Sequence, residues 1–227
     1  MSVALRVDSH TGALRGPLAQ LQVLLEVESH GQAPGDLPAG IRRALEAARH
    51  AACSLTLARS GREAHCWMDT EAAALLLDDG DAQGRLVGLA PGVATSAIAD
   101  LCELGPRPHP TAGTSWLTVP ALARALADPH RADLSATGLA SEADPALAAA
   151  LGALRAHWRV TGEWPQAVTP QTHVLEVLDT EAGLWTVHPL GNRVRLEPST
   201  AATVWRALNA LVPRREDRHA DHALGGA

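Results

Sequence analysis

The 227-residue chain carries 25 acidic and 19 basic side chains, a net charge of -6, and 46% hydrophobic residues. This composition excludes a disordered chain. With six Trp, no Phe and no Tyr, it shows neither the basic face nor the stacking aromatics of a nucleic-acid binder.

Met1 to Gly16 lacks the charged-then-apolar order of a secretory signal and reads as a strand with its turn. The longest strictly apolar run, Ala72 to Leu77, is far too short for a membrane span. Cys53, Cys66 and Cys102 form no C-x-x-C pair and read as buried apolar residues in a reducing compartment. A soluble cytoplasmic protein is expected.

A helix is predicted over Ile41 to Ala51, then a first strand and its turn over Cys53 to Gly61 and a second strand around Glu63 to Trp67. The connection from Asp69 to Gly84 is 16 residues long where a hairpin needs two to five. Val87 and Leu89 alternate as one face of a third strand, Pro91 ends it, and Ala94, Ala97, Ile98, Leu101 and Leu104 follow at helical spacing. A linker from Pro108 to Asp144 holds one more helix, Val119 to Ala127. Asp144 and Pro145 then open a helix read through to Val160.

The C-terminal stretch repeats the earlier one. Val87 aligns with Val194, 107 positions on, and the alignment runs without a gap to Arg107 and Arg214 with eight identities. Val194 and Leu196 alternate, Ser199 or Thr200 caps, and Ala201, Val204, Trp205, Leu208 and Leu211 recur as a helical stripe. Further back, Glu63-Ala64 and Trp67 match Glu181-Ala182 and Trp185 at a wider offset, which leaves eleven extra residues in the first copy. The unit of helix, three antiparallel strands and helix, present twice, predicts an α+β fold with a pseudo-twofold duplication. The halves are 1-113 and 114-213, with a tail at 214-227.

Chemistry is sparse. His219 and His222 are three apart among acidic residues but lie in the polar tail, and His65-Cys66 point to opposite faces of a strand, so no metal site is expected. No nucleophile elbow, P-loop or dinucleotide fingerprint is present, and Ser9-His10 and Ser29-His30 read as loop dipeptides. Catalytic residues and cofactors are therefore expected to be none, and the protein is expected not to be an enzyme. Trp67, Trp185 and Trp205 read as packing between sheet and helix, and Trp116, Trp158 and Trp164 as core or domain-seam residues, any exposed one being a partner anchor.

The best candidate for binding is the long connection, with Leu75, Leu76 and Leu77 beside Asp78, Asp79 and Asp81. It is either two longer paired strands or a protruding hairpin whose leucines dock in a partner. Two other readings stand beside a protein partner: an enzyme or ligand-binding domain assembled from scattered residues such as His65, Asp179 and His188, and a homodimer.

The doubled unit, closing on LEVLDTEAGLWTVHPLGNRVRLEPSTAATVWRALNALVP, resembles the EspG family of type VII (ESX) secretion-associated chaperones of actinobacteria over Ile41 to Pro213. The resemblance implies a quasi-twofold α+β fold and a cytosolic, non-enzymatic chaperone, monomeric or homodimeric. Such a protein binds PE-PPE clients at the PPE tip, keeps them soluble and directs them to export. It also implies partner contact at a loop between the second and third strands of one half, here Asp69 to Gly84.

Overall fold

The structure, a computed structural model, describes residues 5-27, 37-127, 145-165 and 171-212. Asp144, Ser29-His30, His219, His222 and the 214-227 tail lie outside the described residues. The chain is α+β and clusters into two compact units. One holds the residues up to Asp100, Thr161–His173 and those from Ala210 on; the other holds Leu101–Val160 and Val174–Asn209.

In the first unit, β1 (Arg6–Val7), β2 (Leu14–Pro17), β6 (Gln83–Leu89), β5 (Ala73–Gly80), β4 (Arg62–Met68) and β3 (Cys53–Arg59) lie in that order, each antiparallel to its neighbour. Helices α1 (Leu18–Val27) and α2 (Ala39–Arg49) cover one face. Leu21, Leu24, Ile41 and Leu45 from the helices meet Leu14, Ala74, Leu76 and Leu86 from the strands. Every second strand residue supplies this face, as a pleated strand requires. Helix α2 lies so close to β6 that a Cβ at Gly88 would sit 2.6 Å from the Gly40 carbonyl oxygen. Helix α3 (Pro91–Leu101) follows β6 and buries Ala94, Thr95, Ile98 and Ala99.

The elements that follow run in the same order. β7 (Ser115–Thr118) leads into α4 (Val119–Ala127) and α5 (Pro145–Gly152), then β8 (Leu154–Trp164), β9 (Gln171–Thr180), β10 (Gly183–Leu190), β11 (Arg193–Ser199) and α6 (Ala201–Ala210); all belong to the second unit except the end of β8, the start of β9 and the last residue of α6. β11 lies between β10 and β7 as β6 lies between β5 and β2, and these pairs, with β9–β10, are antiparallel. Leu122 and Ala125 of α4 and Leu147 and Leu151 of α5 pack on Leu178, Trp185, Val187, Val194, Leu196 and Leu117. The Thr200 hydroxyl caps α6 by accepting from the Thr203 amide at 3.1 Å, as its residue type suggests.

Helices α1 and α4, which follow β2 and β7, are each tied to a hairpin turn. The Leu18 amide donates to the Ala82 carbonyl at 2.9 Å, and the Val119 amide to the Asn192 carbonyl at 3.0 Å. Asp81-Ala82 and Gly191-Asn192 are two-residue turns, closed by the pairs Gly80↔Gln83 and Leu190↔Arg193. Positive φ at Asp81, Ala82 and Gly191 matches the twist of the flanking strands.

Three sequence expectations are corrected. Helix α5 stops at Gly152, and Leu154–Trp164 is a strand, not the end of a helix. Ala156, Trp158 and Val160 are buried while Arg155 and Arg159 are exposed, a period of two. Each unit thus has four strands between its helices, so the first holds no extra hairpin. Trp67 on β4 and Trp185 on β10 therefore do not occupy equivalent strands. Finally, the structural spacing is 110, not 107: β5, β6 and the start of α3 (Ala73, Gln83, Pro91) correspond to those of β10, β11 and α6 (Gly183, Arg193, Ala201). At that spacing Leu86 meets Leu196 and Ile98 meets Leu208, all of them fully buried.

Gly183 holds a φ of +135°, and a Cβ there would run into the Pro108 carbonyl and the Pro110 ring. Gly191 has a φ of +64° with open space around it. Gly183→Ala is expected to lower stability in urea unfolding by about 3 kcal/mol or more, and Gly191→Ala by only about 1 kcal/mol.

Candidate partner-binding surface

The segment from Asp69 to Gly84 takes the paired-strand form. Asp69 closes a short turn by accepting from the amides of Glu71 (2.6 Å) and Ala72 (2.7 Å), and β5 then runs between β4 and β6. Leu75 is paired with Cys66 and Val87, Leu76 with His65 and Leu86, and Leu77 with Ala64 and Arg85. All three leucines are at most 8% exposed. Covered on both faces, β5 reads as a continuous apolar run. The expectation that these leucines protrude is therefore corrected: they anchor the hairpin from within.

The carboxylates occupy its end. Asp78 is half-buried and accepts from the Gly80 amide at 2.8 Å, across a bulge between Asp78 and Gly80. The bulge turns Asp79 toward Arg85, 3.1 Å away. Asp81 is exposed in the turn.

Leu76 and Asp78 also line a cleft of about 280 Å³ in the same unit. Leu18 and Gln22 of α1 form one wall; Ala58 of β3, with Arg62, Glu63 and His65 of β4, forms the other. His65 is held by Thr56 (3.3 Å), faces Glu63 (3.4 Å) and stacks on Trp67 at 5.7 Å between ring centroids. The cleft thus has an apolar floor and a rim carrying donors and acceptors of both signs. That arrangement suits a protruding side chain of a partner, held by its apolar body and oriented by polar groups. Arg62, Gln22 and Leu18 were not singled out from sequence, and no motif could have flagged them, since they come from a helix and a strand start far apart in the chain.

Asp179 and His188 each have local partners of their own. Asp179 is buried and bound by Arg107, whose Nε and Nη2 donate to its two oxygens at 2.9 Å each. That hydrogen bond, more than the charge of Asp179, holds the Arg107 pKa above its ordinary value against the cost of burial. His188 is occupied by Thr186 (3.1 Å) and Glu197 (3.2 Å). Among the described residues no group of three or more His, Cys, Asp or Glu could hold a metal ion. Helices long and apolar enough to cross a membrane are also absent among them.

The tryptophans divide. Trp158 and Trp185 are 1% exposed, and Trp164 donates to the Leu211 carbonyl at 2.8 Å. Trp205 lies off the stripe formed by Val204 and Leu208 and is exposed, which corrects its reading as a packing residue; Trp116 is exposed too.

No protein-family model matches the sequence, and no curated protein matches it. The fold does have a solved counterpart. The Mycobacterium tuberculosis type VII secretion system chaperone EspG5, solved in complex with a PE25-PPE41 dimer, superposes with a TM-score of 0.58 at 10% sequence identity, covering 88% of this chain and 95% of that one. The chain shares the EspG-like α+β fold.

Two expected outcomes follow from the buried ionisable groups. Arg107→Ala strands a buried carboxylate and should destabilise the protein by about 3–5 kcal/mol in urea unfolding, with Arg107→Lys intermediate. Burial, with the neighbouring Cys53, pushes the Cys66 thiol up to about 12 from an ordinary value of 9.0. The folded state therefore keeps this proton where the unfolded chain loses it. Its contribution is full below about pH 9 and fades as pH rises toward about 12. The urea midpoint of the wild type should fall with pH above about 9, and more steeply than that of Cys66→Ala.

Proposed function

We propose that the protein is a non-enzymatic chaperone or adaptor of type VII secretion. In this reading it acts in the cytoplasm, as a monomer or homodimer, on a PE-PPE-like client, covering the apolar helical tip of the PPE-like chain and keeping the client soluble for export. The observation that carries the reading is the backbone likeness to EspG5, which extends over 88% of this chain and nearly the whole of that chaperone.

The contact is proposed at the β5–β6 hairpin and its cleft. Leu75, Leu76 and Leu77 fix the hairpin from inside, with Leu76 also contributing to the cleft floor. A client side chain enters over Leu76 and Leu18, and Arg62, Gln22 and Glu63 satisfy its polar neighbours. Asp78, Asp79 and Asp81 present negative charge at the rim, where it sets register and encounter rate more than affinity.

The test is co-expression with a PE-PPE-like pair from the same genome, followed by affinity capture and gel filtration. A single co-eluting complex and a shift of the client into the soluble fraction are expected. Gln22→Trp, which fills the cleft, should abolish the complex while leaving the unfolding curve unchanged. Asp79→Ala combined with Asp81→Asn should slow association several-fold at low salt, with little change in dissociation. Failure of the wild-type protein to bind or solubilise the client overturns the reading; normal binding by Gln22→Trp overturns the cleft as the contact.

A further inference from the structure

The cleft of the first unit is laid out by two rows of side chains across its sheet, and the rows give it a preference of charge. In the first row Thr56, His65, Leu76 and Leu86 are successive cross-strand partners. In the second, Ala58 is paired with Glu63, and Asp78 with Gly84. The β4–β5 register of His65↔Leu76 and Ala64↔Leu77, continued by one residue, sets Glu63 opposite Asp78. Positions two apart on a strand share a face, so both rows lie on the side covered by α1.

The outer members of the second row are the small ones. At Gly84 a Cβ would lie 2.8 Å from Cδ1 of Leu18, so α1 comes down onto the sheet there. Ala58, at the other end, has too short a side chain to fill the space above the row. Between them lies the cleft of about 280 Å³, with Leu18 and Leu76 as apolar surface and the carboxylates of Glu63 and Asp78 in its lining.

Two like charges at opposed cross-strand positions repel. Asp78 Oδ1 accepts from the Gly80 amide, and a carboxylate has acceptor sites beyond that one. Glu63 lies 3.4 Å from His65 with its side chain 62% exposed. The described lining residues set these two carboxylates against a single guanidinium, that of Arg62. Arg62 reaches to the end of the hairpin, where a Cβ at Gly80 would lie 3.6 Å from its Nη2.

We infer that the cleft takes a basic side chain of the partner protein, lysine or arginine, with its methylene stem on Leu18 and Leu76 and its cation between Glu63 and Asp78. A long cationic side chain matches both parts of the site, since its stem buries against apolar surface while its head stays among polar groups. An entering carboxylate meets two charges of its own sign. An entering aliphatic side chain covers the carboxylates without pairing them, which costs free energy. The inference rests on the cleft being the client contact, and it names the chemistry of the client residue that enters.

The test uses the isotope-labelled full-length protein and acetylated, amidated tripeptides Ala-X-Ala, with X lysine, arginine, norleucine or glutamate, followed by amide chemical shifts. At low salt the lysine and arginine peptides should shift the amides of Glu63, His65 and Asp78 with a dissociation constant of about a millimolar, and added salt should weaken them. The norleucine peptide should bind about tenfold more weakly, and the glutamate peptide should leave the shifts unchanged. Asp78→Asn keeps an acceptor for the Gly80 amide but removes the charge; it should weaken the lysine peptide about tenfold and leave the norleucine peptide as it was. Arg62→Gln should strengthen the lysine peptide several-fold, and Gln22→Trp should abolish its shifts. If Asp78→Asn does not fold, Glu63→Gln on the exposed partner carboxylate carries the test. Equal or tighter binding of the norleucine or glutamate peptide, or lysine binding indifferent to Glu63→Gln, overturns the inference. Because no client is present, these outcomes are distinct from failure of the chaperone reading, which is decided by co-elution with the client pair.

Discussion

The amide of a helix's first residue, donated to the carbonyl of a hairpin turn, is the constraint from which each unit is laid out. Leu18 to Ala82 and Val119 to Asn192 make the same connection. A strand runs beside the hairpin, reaches the turn, and becomes a helix at the residue whose amide the turn can satisfy. One of the orphan donors of the helix start is thereby placed, and the strand register is fixed with it. Once that register is set, alternation decides which side chains face the helices, and Leu14, Leu76 and Leu86 or Leu117, Val194 and Leu196 become core. The cleft beside α1 follows from the same geometry, because α1 can start only where Ala82 receives it.

Much of this architecture was legible in the amino-acid pattern. Helix α4, the start of α5, the strand over Cys53–Arg59 and the capping role of Thr200 all follow from spacing and residue type. The spacing read from the letters slipped against that of the elements. At 107 the letters of Val87, Leu89 and Pro91 coincide with those of Val194, Leu196 and Pro198; the strands and helices recur at 110. A slip of three is close to one helical turn, so the stripe of α6 still seems to match that of α3. On a strand the same slip exchanges the two faces. Val87 and Leu86 thus belong to opposite sides, and only the pairing with Leu14 reveals which of them is core. The stretch after Gly152 failed for a related reason: Ala156, Trp158 and Val160 fit either period when few polar residues break the run.

The candidate cleft was visible in the sequence only through Leu76 and Asp78. The segment with Leu75 to Asp81 does stand at a distinctive place, where a bulge and a tight turn meet a helix. Its apolar residues, however, serve the interior, and the groups that open toward solvent around it come from α1, β3 and β4. Sequence separation hides such a set, because no single stretch contains it. The fold-level likeness to EspG5, at 10% identity, shows how far an arrangement of strands and helices persists after side-chain identity has gone.

The two hairpin turns that receive those helix amides differ in backbone comfort. Gly191 enters the left-handed region without a side chain to clash, whereas Asp81 and Ala82 hold φ values of 51° and 58° with theirs. For L-residues that conformation costs about 1–2 kcal/mol each, and only aspartate has some local compensation. The first unit therefore keeps a stressed turn a few residues beyond Asp78, which lines the cleft. A protein selected for stability alone would have glycine there. The strain sits in the turn that receives the Leu18 amide, so the start of α1 rests on the less comfortable of the two turns.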